Sequence, residues 1–127
     1  MKARRAGALI IRDKRILLVS NDELGLYWTP GGRLNAGEDY QQALRRELAE
    51  ELGVKINKAK LFSQVSHDYT PTAKYFLVDV VGEPATVSKE ITKIGWFSRQ
   101  DIEFGNTKVT PNFTKEIFPQ LIKAGLL

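Results

Sequence analysis

The chain has no cysteine, one histidine and one methionine among its 127 residues. Without cysteine there is no disulfide, no thiolate nucleophile and no thiolate zinc site. A lone histidine is too few for a His-based metal triad and leaves a serine triad short of parts. Long hydrophobic runs are missing as well: the apolar stretch GALII near the start ends at Arg12 and Asp13 and carries no cleavage pattern. A cytoplasmic protein without a transmembrane segment is therefore expected. No long basic run and no interleaving of aromatic with basic residues gives a strong nucleic-acid signal. The net charge of +4 still favours anionic ligands, and small phosphate-bearing molecules satisfy it as well as nucleic acid does. Repeats, linkers and low-complexity tracts are absent too, so a single domain over residues 1–127 is expected, with length enough for one good core.

What is present is concentrated in GRLNAGEDYQQALRRELAEELGV, residues 32–54. Leu44, Leu48 and Leu52 recur every four residues and mark the buried stripe of a helix. Asp39 stands at the N-cap position, Gln42 completes a capping box, and Gly53 supplies the stop. At about 100° per residue, Glu47, Glu50 and Glu51 share an arc of roughly 100° that borders the leucines. Like charges this close repel, and more strongly when partly desolvated. Arg46 can reach Glu50 one turn on, whereas Arg45 points to solvent, so one arginine faces three carboxylates. Either the acids form a solvated face, or they form a site for a hard divalent cation such as Mg²⁺, which takes carboxylate oxygens and keeps waters and substrate phosphates as its other ligands.

The order Gly32, Glu38, Arg46, Glu47, Leu48, Glu50, Glu51, Gly53, Val54 resembles the signature of the Nudix hydrolases at every fixed position. Trp28-Thr29-Pro30-Gly31-Gly32 resembles the family's lead-in, and Gly95-Trp96-Phe97 its late strand. The resemblance implies an α/β fold, a Nudix α/β/α sandwich with a mixed central sheet, in which the 32–54 loop-helix-loop is the catalytic platform. It also implies hydrolysis of a pyrophosphate linkage with Mg²⁺ as cofactor and Mn²⁺ as a substitute. Metal would be held by Glu47, Glu50, Glu51 and Gly32, with Glu47, Glu50, Glu90 and Arg46 as the catalytic set and Glu38 supporting the loop through Arg46. The small size is similar to MutT-like enzymes, which implies a nucleoside triphosphate, ordinary or oxidised, cut to monophosphate and pyrophosphate. The alternative is ADP-ribose, a nucleotide sugar or a dinucleoside polyphosphate, suggested by Pro71 and Tyr69. A catalytically silent nucleotide- or RNA-binding Nudix module is the reading from another class, but such modules typically lose the box acids. A small-molecule nucleotide is the expected partner, no membrane is involved, and the protein is expected to be a monomer or homodimer.

Outside the box, each candidate carries two readings. Arg4 and Arg5 could contact phosphate or be solvated strand ends. Trp28 either roofs the core or stacks on a base. Gly31, beside Gly32, allows a close phosphate approach or is only a turn. His67 is a strand-end polar residue or a contact to phosphate or ribose. Asn112 either caps the last helix or reads a purine edge, as the MutT-like branch does in a similar Pro-x-Asn context. Glu90, in the loop six residues before Trp96, either pairs with nearby lysines or acts as the base, since metal-bound glutamates are poor proton acceptors.

β-rich runs at 4–11 and 15–20 flank Asp13-Lys14 and read as a hairpin. Strands are expected at about 60–67 and at 73–81, paired antiparallel, with another at 91–97. Ser98 to Ile102 reads as a short capped turn with Asp101 near its start. The last helix, 111–121, contains Pro119, which should shorten or kink it.

Overall fold

The computed structural model describes residues 4–21, 25–66, 72–105 and 107–127. Its first strand run crosses from one sheet to another. β1 (Arg5–Leu9) lies in a four-stranded sheet of order β4-β1-β6-β5, and β2 (Ile11–Arg12) lies in a three-stranded sheet of order β2-β3-β7. The other strands are β3 (Arg15–Ser20), β4 (Gly31–Arg33), β5 (Lys55–Val65), β6 (Ala73–Val81) and β7 (Lys93–Ser98). Only the second half of the first run forms the expected hairpin, Ile11 pairing with Ile16 and Arg12 with Arg15. Asp13 and Lys14 turn it at φ 50° and 57°, the paired positive dihedrals that suit a two-residue turn to strand twist. β1 instead runs parallel to β6 and antiparallel to β4. The expected mixed sheet is the four-stranded one, and the remaining three strands form a second sheet beside it.

Strand alternation sorts the apolar side chains into two layers. Ala6, Ala8, Ile10, Leu17, Val19, Phe76 and Val78 point to one side, where they bury Leu44, Leu48 and Leu52 of α1 (Tyr40–Leu52). Leu9, Ile16, Leu18 and Tyr75 point to the other, against Phe113, Ile117, Phe118 and Leu121 of the final helix. The result is the sandwich the resemblance implied, with a helix on each face.

α1 starts as its sequence requires. Asp39 Oδ1 accepts from the Gln42 N–H at 2.8 Å, and Gln42 Oε1 accepts from the Asp39 N–H at 2.9 Å. Gly53, at φ 68°, closes it with an N–H donated to the Ala49 carbonyl. β5 and β6 pair antiparallel as expected, but β5 begins at Lys55 and carries two irregularities that bend it. α2 (Arg99–Phe104) is capped by Ser98 in a capping box with Asp101.

The final helix opens at the Thr110 carbonyl, which accepts from Phe113 and Thr114. Pro111 then fills the first helical position, where its missing N–H costs nothing. Pro119, further in, cannot donate to the preceding turn. The helix accommodates this by widening into a π segment, Phe113–Ile117, in which the Phe118 N–H reaches the Phe113 carbonyl, before α3 (Phe118–Lys123). Among the described residues no helix is long and apolar enough to cross a membrane.

Candidate active site

β4 and α1 build the site between them. Gly31, at φ 136°, lies so close to β1 that a Cβ there would sit 2.0 Å from the Ala6 carbonyl oxygen, so only glycine keeps the strand in register. A Cβ on Gly32 would meet the Glu47 carboxylate at 2.5 Å. Gly31 therefore lets β4 lie against β1, and Gly32 lets the acidic face of α1 press against β4.

The glutamates of the box meet graded surroundings. Glu38 is held by the Arg46 fork, Nε to Oε2 at 2.9 Å and the second terminal nitrogen to Oε1 at 3.0 Å, and also accepts from the Asn35 N–H at 2.7 Å. These bonds, the Arg46 ones foremost, hold its pKa below the ordinary value. Arg46 further donates to Glu47 at 2.8 Å and to the Arg33 carbonyl at 2.9 Å, and reaches Glu50 only at 3.4 Å. Arg46, which the helix spacing puts within reach of Glu50, therefore ties the loop, β4 and Glu47 together, with Glu38 the partner that the resemblance implied. Arg45 is exposed, as its position on the wheel requires.

Glu51 receives none of this. It is 5% exposed, and its Oε1 accepts from the Gly31 N–H at 3.0 Å. Burial pushes its pKa up to about 7; the Gly31 bond opposes the rise, the charges of Glu47 and Glu90 add to it, and Arg5 lowers it. Two negative groups, Glu47 and Glu90, thus act on one buried carboxylate, a setting that a cation relieves. The donors are all hard oxygens, which suits Mg²⁺ or a similar divalent ion and excludes sites that need nitrogen or sulfur. Among the described residues no three carboxylate or imidazole groups yet stand close enough to cage an ion. Glu47 is turned to Arg46, and Glu51 to the Gly31 amide.

The structure places the other candidates unequally. Glu90 is exposed, on the loop between β6 and β7, yet near enough to Glu51 to act on its charge. Gly31 spends its N–H on Glu51 instead of offering it to a phosphate. Trp28 bridges to Val19 and packs against the α1-side core, the arrangement of a roof. Arg4 lies 5.7 Å from the centre of the Tyr40 ring, which Lys74 also approaches, at 4.4 Å. Arg5 is the neighbour that bears on the site: it donates to the Thr29 carbonyl at 3.3 Å and acts on both Glu51 and Tyr75. The adjacent arginines thus have different neighbours, the Tyr40 ring for Arg4 and the Thr29 carbonyl and the charge of Glu51 for Arg5. Asn112 is exposed inside the first helical turn and makes no capping bond, which corrects the cap reading. Pro111 ahead of it already takes the first position. His67 and Tyr69, with Pro71, lie outside the described residues.

The NUDIX domain family model matches residues 1–121. The chain is 36% identical over 76 residues to an 8-oxo-dGTP diphosphatase of Proteus vulgaris, covering 57% of this chain and 68% of that protein. It is 41% identical over 59 residues to an 8-oxo-dGTP diphosphatase of Haemophilus influenzae, covering 43% of each. Among solved structures, a MutT NUDIX hydrolase from Burkholderia pseudomallei superposes with TM-score 0.68 at 32% identity, over 77% of this chain and 84% of that one. MutT from Aliivibrio salmonicida and Vibrio cholerae shares the fold at TM-score 0.79 and 24% identity, over 95% and 96%. A family match over nearly the whole chain, on a fold that brings the box glutamates to one glycine-lined edge, establishes that this chain belongs to the Nudix hydrolases, with MutT-like members among its relatives.

Proposed function

We propose that this Nudix hydrolase cuts nucleoside triphosphates, oxidised purine triphosphates foremost, to the monophosphate and pyrophosphate, with Mg²⁺ as cofactor and Mn²⁺ able to substitute. The observation that carries the reading is Glu51, a buried carboxylate with a pKa raised to about 7 beside the charges of Glu47 and Glu90. The names of the relatives, two of them 8-oxo-dGTP diphosphatases, supply the substrate class.

Glu47, Glu50 and Glu51, with Gly32 at their edge, would hold the divalent ion. Bound there, it supplies neutralisation of the phosphate charge and a lowered pKa for water. The protein's own groups do the rest. Glu90 takes a proton from the attacking water, whose oxygen bonds to phosphorus as the bridging P–O bond breaks and pyrophosphate departs. Arg46 is a positioning residue, since its bonds to Glu38, Glu47 and the Arg33 carbonyl fix α1 against the loop and β4. Arg5, whose charge acts on Glu51, would meet a substrate phosphate. Asn112, free of capping, is available to read a base edge.

The test is a panel of nucleoside triphosphates, oxidised triphosphates, ADP-ribose and dinucleoside polyphosphates, assayed with Mg²⁺ and read by product mass. Monophosphate plus pyrophosphate from the triphosphates, with oxidised purines ahead, is the expected result. Faster cleavage of ADP-ribose or dinucleoside polyphosphates would overturn the substrate assignment, and binding without hydrolysis of anything would overturn the enzyme.

A further inference from the structure

The last turn of an α-helix leaves its final carbonyls without intrahelical partners. In α1 two of them are taken by a distant loop: the Ala85 N–H donates to the Leu52 carbonyl at 3.1 Å, and the Val87 N–H to the Glu51 carbonyl at 3.4 Å. The Val87 side chain lies over the closing glycine, so that a Cβ on Gly53 would come within 3.3 Å of Val87 Cγ1. Val87 is nevertheless 56% exposed, and ordinary core packing does not explain its placement. The same loop leaves β6 at Gly82 and enters β7 through Ile91, which is buried in the α1-side core. Its last turn is tightened by the Ile91 N–H donating to Ser88 Oγ at 3.2 Å.

Glu90 therefore sits between two anchors. One is Val87 on the end of α1, and the other is Ile91 in the core. The first anchor is bonded to the backbone of Glu51 itself. We infer that Val87 is a positioning residue, latching the 83–90 loop to the end of α1 so that Glu90 is held beside the glutamates of the box. The inference rests on the role given to Glu90 above. Ile91 and its bond to Ser88 fix the shape of the turn and one end of it, but without a contact to the end of α1 the turn is free to swing as a unit. The latch removes that freedom, and a misplacement of about 1 Å is enough to cost a large factor in rate.

The test is a double-mutant cycle between Val87→Gly and Glu90→Gln, with Val87→Ile as the conservative control. Val87→Gly should lower kcat about tenfold, in line with the cost of misplacing a reacting group. KM should stay within about twofold, because positioning acts on the chemical step and leaves ground-state binding intact. Val87→Ile should retain activity. In the Glu90→Gln background Val87→Gly should have no further effect, because the two act as one unit. Amide exchange of residues 85–91 in the metal-free protein should quicken in Val87→Gly with little change in melting temperature. An equal loss of kcat from Val87→Gly with and without Glu90 would overturn the latch. So would unchanged kcat in Val87→Gly while Glu90→Gln is impaired. If Glu90→Gln alone is fully active, it is the proton-acceptor assignment that fails first, and the latch falls with it.

Discussion

Glu38 and Glu51 belong to the same short segment and meet opposite surroundings. At the loop end, Glu38 faces a guanidinium fork and a backbone N–H, and its pKa is lowered. At the helix end, Glu51 is buried with a single amide for company and two negative neighbours, and its pKa rises to about 7. One carboxylate is satisfied by the fold. The other is held at the fold's expense, and a carboxylate so held is the group a cation would stabilise. The contrast separates architecture from chemistry within one motif, and variants at either end can break it.

The largest effect is expected from Glu51→Gln. Losing one ligand to the divalent ion should lower kcat by about 10³-fold or more, the equivalent of several kcal/mol of charge stabilisation. In the metal-free protein the same substitution should stabilise. Glu51 in the unfolded chain ionises near 4.5 and in the folded chain near 7, so the native state binds the extra proton between those values. Stability therefore falls as pH rises through this window and stays lower above it. Glu51→Gln escapes the penalty, a gain on the order of 3 kcal/mol above pH 7 that fades to nothing below pH 4.5. Urea midpoints in EDTA at pH 4, 6 and 8 measure it. A variant no more stable at pH 8 would mean that burial does not strain this carboxylate.

Next comes Glu90→Gln, which should lower kcat about 10²-fold, the loss expected for a general base, with a smaller change in KM. A kcat within a few-fold of the parent across pH 6 to 9 would return the base role to Glu47 or Glu50.

Glu38→Gln reverses the sign seen at Glu51. A lowered native pKa contributes stability above the ordinary value of 4.5 that is lost as pH falls through the native pKa. The variant should therefore be less stable than the parent at pH 7 and indistinguishable from it in strong acid, with kcat reduced far less than in Glu51→Gln. If instead Glu38→Gln is as inactive as Glu51→Gln while still folded, the two ends of the segment are not divided between structure and chemistry.

Much of this division was legible in sequence because its determinants are local. The capping box, the leucine stripe and the arc of acids follow from spacing alone, and so does the exposure of Arg45. The difference between Glu38 and Glu51 was not, because it depends on partners distant in sequence. Glu51 bonds to Gly31, twenty residues earlier, and helical spacing alone offered Arg46 only Glu50, while its pairing with Glu38 came from the resemblance. The split of the first strand run between two sheets escaped for the same reason, since β6 and β4 select β1 while β3 selects β2. Gly82 and Pro84 mark a connection after β6, but the docking of the 83–90 loop on the end of α1 leaves no trace in composition. Pro111 carries a local signal of its own, since proline favours the first helical position and puts the cap at the residue before it.

The smallest effect is expected at Asn112, where the structure removes one of two competing readings. Its side chain makes no capping bond and is exposed in the first turn of the final helix, on the layer opposite α1, whose sheet residues include Tyr75. An amide presents a donor and an acceptor together, the combination a purine edge requires, and a single such bond contributes about 1 kcal/mol, or roughly fivefold in selectivity. Asn112→Ala should therefore leave the melting temperature nearly unchanged and shift kcat/KM between guanine and adenine triphosphates by about that factor. Asn112→Asp, which replaces the donor with a second acceptor, should shift the ranking further than Asn112→Ala does. A fall in melting temperature with the substrate ranking intact would mark Asn112 as part of the helix start after all, and unchanged values of both would leave base selection to another residue on that layer.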